Sequence, residues 1–149
     1  MGVVKKQQGV NGGWKDIKHF KPADFACKCG DCNHVASVNM SFVEKLDQLK
    51  ERLELPVNIN SACRCLPYNQ SVGGAATSPH VAQNGRDSCA VDIFVPNAQY
   101  RAKLLALALE IGFSGIGIGP GGAPGSWVHL DDLPRGDHVV WVYPPSRRR

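Results

Sequence analysis

Ser78-Pro-His80-Val-Ala-Gln-Asn-Gly-Arg-Asp87-Ser-Cys-Ala-Val-Asp92-Ile-Phe-Val95, read together with Ser126-Trp-Val-His129-Leu-Asp131-Asp132, decides how the chain is understood. In the first stretch a histidine precedes a polar loop and a short apolar run, Ala90–Val95, that carries one carboxylate. In the second, another histidine stands inside a second short apolar run. Strand alternation puts Asp92 on one face with Ala90 and Phe94, and Val91, Ile93 and Val95 on the other. The same alternation puts Trp127, His129 and Asp131 on one face. A lone carboxylate on an apolar strand is costly to bury without a partner, and a metal ion is a suitable one. Two histidines and an aspartate leave the fourth position of a tetrahedral zinc open, as catalytic rather than structural sites do. His80, Asp92 and His129 are therefore the expected ligands.

Outward from this pair of strands, Val57-Asn-Ile-Asn-Ser61 alternates apolar and polar and predicts a strand with one buried face. It leads through Ala62-Cys63-Arg64-Cys65-Leu-Pro-Tyr68-Asn69 to Gly73-Gly74 and a polar stretch ending at Thr77. That is a long loop, of the kind that carries sites on rigid strands. Ser41-Phe-Val-Glu44 has the form of a capping box. Phe42, Leu46, Leu49 and Leu53 then make an apolar stripe on a helix of about 14 residues that Pro56 stops. A second helix is predicted over Ala98–Ile111, with Leu104, Leu105, Ala108 and Ile111 inward and Gly112 as its C-terminal stop. Gly115-Ile-Gly-Ile-Gly119 reads as a tight strand beside something close-packed; Pro120 follows it, so it is not a phosphate loop. Gly119–Gly125 is a turn and Val139–Tyr143 a last strand. With no repeat and no linker, these elements make one α+β domain, a small antiparallel sheet flanked by helices, over residues 17–144. An arm, residues 1–16, and a basic tail, 145–149, flank it.

The 149 residues, 43% of them hydrophobic, suffice for one domain with a real core. No run of about 18 apolar residues is present to span a membrane. The N-terminus has no apolar segment of a secretory signal, and Lys6 breaks the myristoylation pattern. Much of the net charge of +4 sits in Lys5, Lys6, Arg147, Arg148 and Arg149. Without aromatic interleaving or a DNA-binding motif, these ends read as solubilising, and nucleic acid is not an expected partner. A mild positive charge would also favour approach to a polyanionic surface. Cys27-Lys-Cys29-Gly-Asp-Cys32-Asn-His34 resembles a structural zinc knuckle, but its spacing is cramped for paired C-x2-C geometry. Disulfides or buried thiols are the favoured reading there, with a second metal as the alternative. Cys63, Cys65 and Cys89 read as packed or paired thiols rather than as nucleophiles.

Taken in order, Asn60-Ser61-Ala-Cys-Arg64-Cys-Leu-Pro-Tyr-Asn69, Gly73-Gly74, Ser78-Pro-His80, Ala90-Val-Asp92-Ile93 and Trp127-Val-His129-Leu-Asp131 resemble the zinc D,D-peptidases of bacterial cell walls. That group comprises D-Ala-D-Ala carboxypeptidases, VanY-like enzymes and phage endolysins, and shares its fold with hedgehog signalling domains. The resemblance covers roughly Phe20 to Tyr143, and Phe25 through Cys29 is similar to the phage-type branch. It implies a hedgehog-like fold and a zinc cofactor on His80, Asp92 and His129. It also implies that Arg64 holds a substrate carboxylate or the developing oxyanion, and that Ser78 lies beside the substrate. The implied activity is hydrolysis of peptidoglycan stem peptides, as a D,D-carboxypeptidase or an endopeptidase. The implied setting is a monomer made in the cytoplasm, phage-encoded in one branch, whose partner is cell-wall peptide.

Two departures matter. The family's His and Asp stand about seven residues apart, whereas His80 and Asp92 are twelve apart and Asp87 occupies the usual distance. Asp92 is preferred because Ala-Val-Asp-Ile matches the family's strand, while Asp87 lies in turn-like Asn-Gly-Arg-Asp. Relatives also carry an acid three residues before the last His, where Ser126 stands. Asp131 would share the His129 face and could orient that ligand or act as general base, with His138 as another base candidate. Ser126 keeps open the alternative of a non-catalytic wall-binding or virion module on the same fold.

Overall fold

The computed structural model describes residues 13–30, 32, 38–120 and 126–144. His34, most of the predicted turn before Ser126, the first twelve residues and the terminal arginines lie outside the described residues. Five strands form one sheet: β1 (Ile59–Ser61), β2 (Ala90–Val95), β3 (Gly115–Ile118), β4 (Ser126–Asp131) and β5 (Val139–Val142). Their spatial order is β1-β2-β4-β3-β5. The first four pair antiparallel, as expected. β5 departs from that expectation and runs parallel to β3, so the sheet is mixed at this edge. The cause is the short segment after β4, which crosses the end of β3 before β5 begins. Ser114 holds that crossing: its Oγ donates to the Leu133 carbonyl at 2.7 Å, and its carbonyl accepts from Val139 N–H at 2.9 Å.

Helices α1 (Met40–Leu53) and α3 (Ala98–Ile111) cover one face of the sheet, and the short α2 (Leu66–Ser71) follows β1. The predicted stripe of α1 is fully buried, with Phe42, Leu46, Leu49 and Leu53 in the core beside Val91, Ile93, Val95, Val128 and Leu130. Burying each such side chain is worth about 1.5–3 kcal/mol. The cap of α1 differs from the prediction. Asn39, not Ser41, accepts from Phe42 N–H at 3.0 Å, and the Ser41-Glu44 pair lies inside the helix. Asn39 caps as well as serine does, and a tertiary contact favours it: its N–H donates to the Ser88 carbonyl at 2.8 Å. In α3, Tyr100, Leu104 and Ala108 are buried while Leu105 and Ile111 are only half-buried, and Gly112 ends the helix at φ 97°. Helix α2 was not expected inside the long loop; Pro67 in its first turn pre-sets the helical φ.

The second sheet face carries the candidate site. Pairing aligns Ser61, Asp92, His129, Gly117 and Trp141 in one row across it. Near the N-terminus, Gly13–Asp16 of the expected arm form a 3-10 turn, and Trp14 packs edge-on against buried Phe25 with ring centroids 5.6 Å apart.

Candidate metal centre

His80, Asp92 and His129 each turn one ligand atom toward the same point, and these atoms lie within 4.8 Å of one another. Asp92 and His129 are directly cross-paired on β2 and β4, so the sheet register alone brings them together. His80 arrives from the loop after α2, fixed by Arg64 N–H donating to its carbonyl at 3.0 Å. The twelve-residue interval to Asp92 is taken up by a hairpin, Gln83 to Arg86, whose two tip residues have positive φ: Asn84 at 56° and Gly85 at 74°. Asp87 follows that hairpin and takes no part in the cluster.

The hydrogen bonds of the two rings define which nitrogen is available. His80 Nδ1 lies 2.6 Å from the Ala62 carbonyl, which can only accept, so Nδ1 carries the proton and Nε2 faces Asp92 at 3.3 Å. His129 Nε2 lies 2.7 Å from the Asp131 carboxylate, leaving Nδ1 toward Asp92 at 3.1 Å. With the outer nitrogen of each ring bonded elsewhere, both inner nitrogens aim at the same oxygen of Asp92. That geometry calls for a positive charge between them, either ring protons or a cation. The donor set, two imidazoles and a carboxylate with held outer atoms, fits zinc. Burial alone would raise the Asp92 carboxyl, but hydrogen bonds from His129 and His80 and their charge outweigh it and hold it well below its ordinary value. Burial would lower His129, yet the hydrogen bonds and charge of Asp131 and Asp92 raise it.

Arg64 and Asp131 serve the two ends of this cluster. Arg64 donates through Nε to Ser61 Oγ at 3.0 Å, through Nη1 to Asn69 Oδ1 at 2.9 Å, and through Nη2 to Asp92 Oδ2 at 3.2 Å. These bonds use three of its five N–H donors and leave two for a bound ligand in the cleft that it lines. Asp131 is fully buried with both oxygens engaged. Arg135 grips it through Nη1 at 2.6 Å and Nη2 at 3.2 Å, Leu133 N–H donates at 3.1 Å, and His129 completes the set. Burial would raise its carboxyl, but the His129 and Arg135 bonds bring it down to about 2. These contacts suit the ligand-orienting role weighed for Asp131 better than that of general base. Ser78 lines the cleft, its Oγ accepting from His80 N–H at 3.1 Å.

The cleft holds about 410 Å³ and is walled on one side by Trp127, Trp141 and Tyr143. These rings contact one another, with Trp127 and Tyr143 at 4.7 Å, and Trp141 also lies 5.5 Å from His129. The alternate glycines of β3 make room for them. A Cβ on Gly117 would sit 2.6 Å from the Tyr143 ring and 2.8 Å from Trp141, and one on Gly115 would overlap the Arg135–Asp131 pair. Gly74 plays the same part near Arg64, since a Cβ there would overlap the Asn69 amide.

Two residues weighed for the base lie elsewhere. Ser126 is on the opposite face of β4 from His129, its Oγ donating to the Pro120 carbonyl at 3.0 Å. An acid at that strand position would point away from the ligands. His138 is tied through Nδ1 to the Phe113 carbonyl at 3.0 Å, in a separate cleft with Lys45 and Asp132. Arg135, Asn69 and the three aromatics were not assigned roles from sequence. Arg135 and Trp141 carried no local signal; Asn69 and Gly74 stood within the family-like stretches, which was the available hint.

An α+β sheet presenting two histidines, an aspartate and an arginine in one open cleft defines a metal-competent site of the kind hydrolases use. The family model of Peptidase M15 matches residues 18–131, most of the chain, and the chain belongs to that family. Peptidases of this family are generally zinc-dependent, in keeping with the His-Asp-His set. No curated protein matches the chain.

Proposed function

We propose that this protein is a zinc metallopeptidase that hydrolyses peptide bonds in bacterial peptidoglycan stem peptides, with His80, Asp92 and His129 as ligands. The observation that carries the reading is the convergence of His80 Nε2, Asp92 and His129 Nδ1 on one point in the cleft of a Peptidase M15 chain. Zinc held there supplies Lewis acidity toward a scissile carbonyl and an attacking water. The protein's own groups do the rest. Arg64, fixed by Ser61 and Asn69, offers its two remaining N–H groups to a substrate carboxylate or developing oxyanion. Asp131 keeps the proton on His129 Nε2 and so keeps Nδ1 as the ligand atom. Gly73, Gly74 and Ala75 add small residues to the lining of the cleft, which suits a peptide with small side chains such as D-alanine.

A second reading has one observation in its favour. Among the described residues lining the cleft, the only carboxylates are Asp92 and Asp131, and both are engaged. A wall-binding module without turnover would need no further base. The test is to incubate zinc-loaded protein with peptidoglycan and with a muropeptide ending in D-Ala-D-Ala, reading products by mass spectrometry. Chelated protein and His129→Ala run alongside. Loss of one alanine, or a defined internal cut, absent in both controls, supports the peptidase and names the bond. No product with zinc bound supports the binding module.

A further inference from the structure

Four cysteines gather at a second point. The Sγ atoms of Cys27, Cys29, Cys32 and Cys65 lie within 4.8 Å of one another, all half-buried. Three come from one short segment; the fourth is brought in from the start of α2, where it is the N-cap residue. A zinc ion with Zn–S bonds near 2.3 Å holds its four sulfurs about 3.8 Å apart. The Cys29–Cys32 separation, 3.4 Å, and the 4.8 Å outer limit bracket that value. Two backbone amides already point at sulfur: Cys32 N–H at Cys29 Sγ, 3.2 Å, and Cys65 N–H at Cys27 Sγ, 3.4 Å. Backbone N–H groups aimed in this way are the outer contacts that orient a metal-bound sulfur. Gly30, at φ 82°, lets the chain reverse between Cys29 and Cys32.

We propose that Cys27, Cys29, Cys32 and Cys65 hold a structural zinc ion, distinct from the His80–Asp92–His129 centre. Four thiols give up four protons, one divalent ion enters, the site carries charge −2, and no oxidant or reductant takes part. With all four positions filled by sulfur, the ion is closed to substrate and acts as a staple. It ties the segment following the 3-10 turn Pro22–Phe25 to the residue next to Arg64, and so steadies the backbone from which Arg64 reaches Asp92. Among the described residues the fourth sulfur is that of Cys65, which the local spacing did not suggest, and the disulfides or packed thiols favoured from sequence give way to a metal. The proposal does not rest on the peptidase reading.

The experiment counts metal in protein purified under reducing conditions, by elemental analysis and native mass spectrometry. Unsubstituted chain is expected to hold two zinc ions, His80→Ala/His129→Ala one, and Cys29→Ser in that background none. Cobalt replacement in the unsubstituted chain is expected to give the intense sulfur-to-cobalt charge-transfer absorption of a tetrathiolate, a readout that needs no variant to fold. A cobalt protein without that absorption overturns the proposal. So does native protein lighter by two or four hydrogens with no metal on the cysteines. Iron in place of zinc overturns the metal's identity. Failure of wall-peptide cleavage leaves all these readouts untouched, so the two proposals fail separately.

Discussion

Asp131 sits between a cation and a metal-ligand candidate, and its neutral isostere separates its two duties. Asp131→Asn keeps the shape but removes the ionised acceptor, so either Arg135 or His129 Nε2 faces an amide N–H. Loss of such an outer carboxylate lowers metal affinity by about 10–100-fold, measurable by competition with a chromophoric chelator. Unchanged affinity would remove Asp131 from the orienting role. Gly74 offers the complementary test on the arginine side. Its φ is not in the left-handed region, so Gly74→Ala acts through crowding of Asn69 and Arg64 alone. The expected result is a fall in kcat/KM of roughly 10-fold with zinc content unchanged, and a stability loss of about 1–3 kcal/mol. A parallel loss of zinc would contradict the assignment of Gly74 to Arg64.

At the scale of elements, β3 and β5 illustrate how a strand without side chains shapes a site. Every second residue of β3 on the cleft face is glycine, and the rings of β5 and its continuation fill the space. Gly117→Ala should push Trp141 and Tyr143 outward, costing about 1–3 kcal/mol in chemical unfolding and altering the near-ultraviolet circular dichroism. The crowding beside this strand was legible from Gly115-Ile-Gly-Ile-Gly119. Its occupants were not, because β5 is brought there by a crossover that leaves no periodic trace. The start of α1 makes a second element-scale test. Asn39→Ala should cost about 1 kcal/mol, while Ser41→Ala should cost less than about 0.5 kcal/mol. Equal effects in thermal unfolding would return the cap to Ser41.

Over the whole molecule, the buried site makes stability depend on pH in opposite senses. Asp131 has a folded value near 2, below its ordinary 3.8, so its contribution is present above the ordinary value and lost as pH falls toward 2. That loss is on the order of 2 kcal/mol. His129 is raised above 6.5, so its contribution is present below that pH and lost as pH climbs through the raised value. Metal-free protein should therefore be most stable between about pH 4 and 6.5, by denaturant titration across pH, and zinc should extend the plateau upward by replacing the ring protons. A flat profile without metal would show that the cluster adds nothing to folding. As for legibility, the sequence by itself determined the amphipathic stripes, the strand faces and the identity of His80, Asp92 and His129 as ligand candidates, because alternation and helical spacing are local properties. Tertiary structure alone brought Arg135 to Asp131, the aromatic rings to the cleft, β5 parallel to β3 and Cys65 to the other three cysteines. Each of these depends on which distant segments become neighbours, and neighbourhood is set by sheet register and crossovers, not by any spacing along the chain.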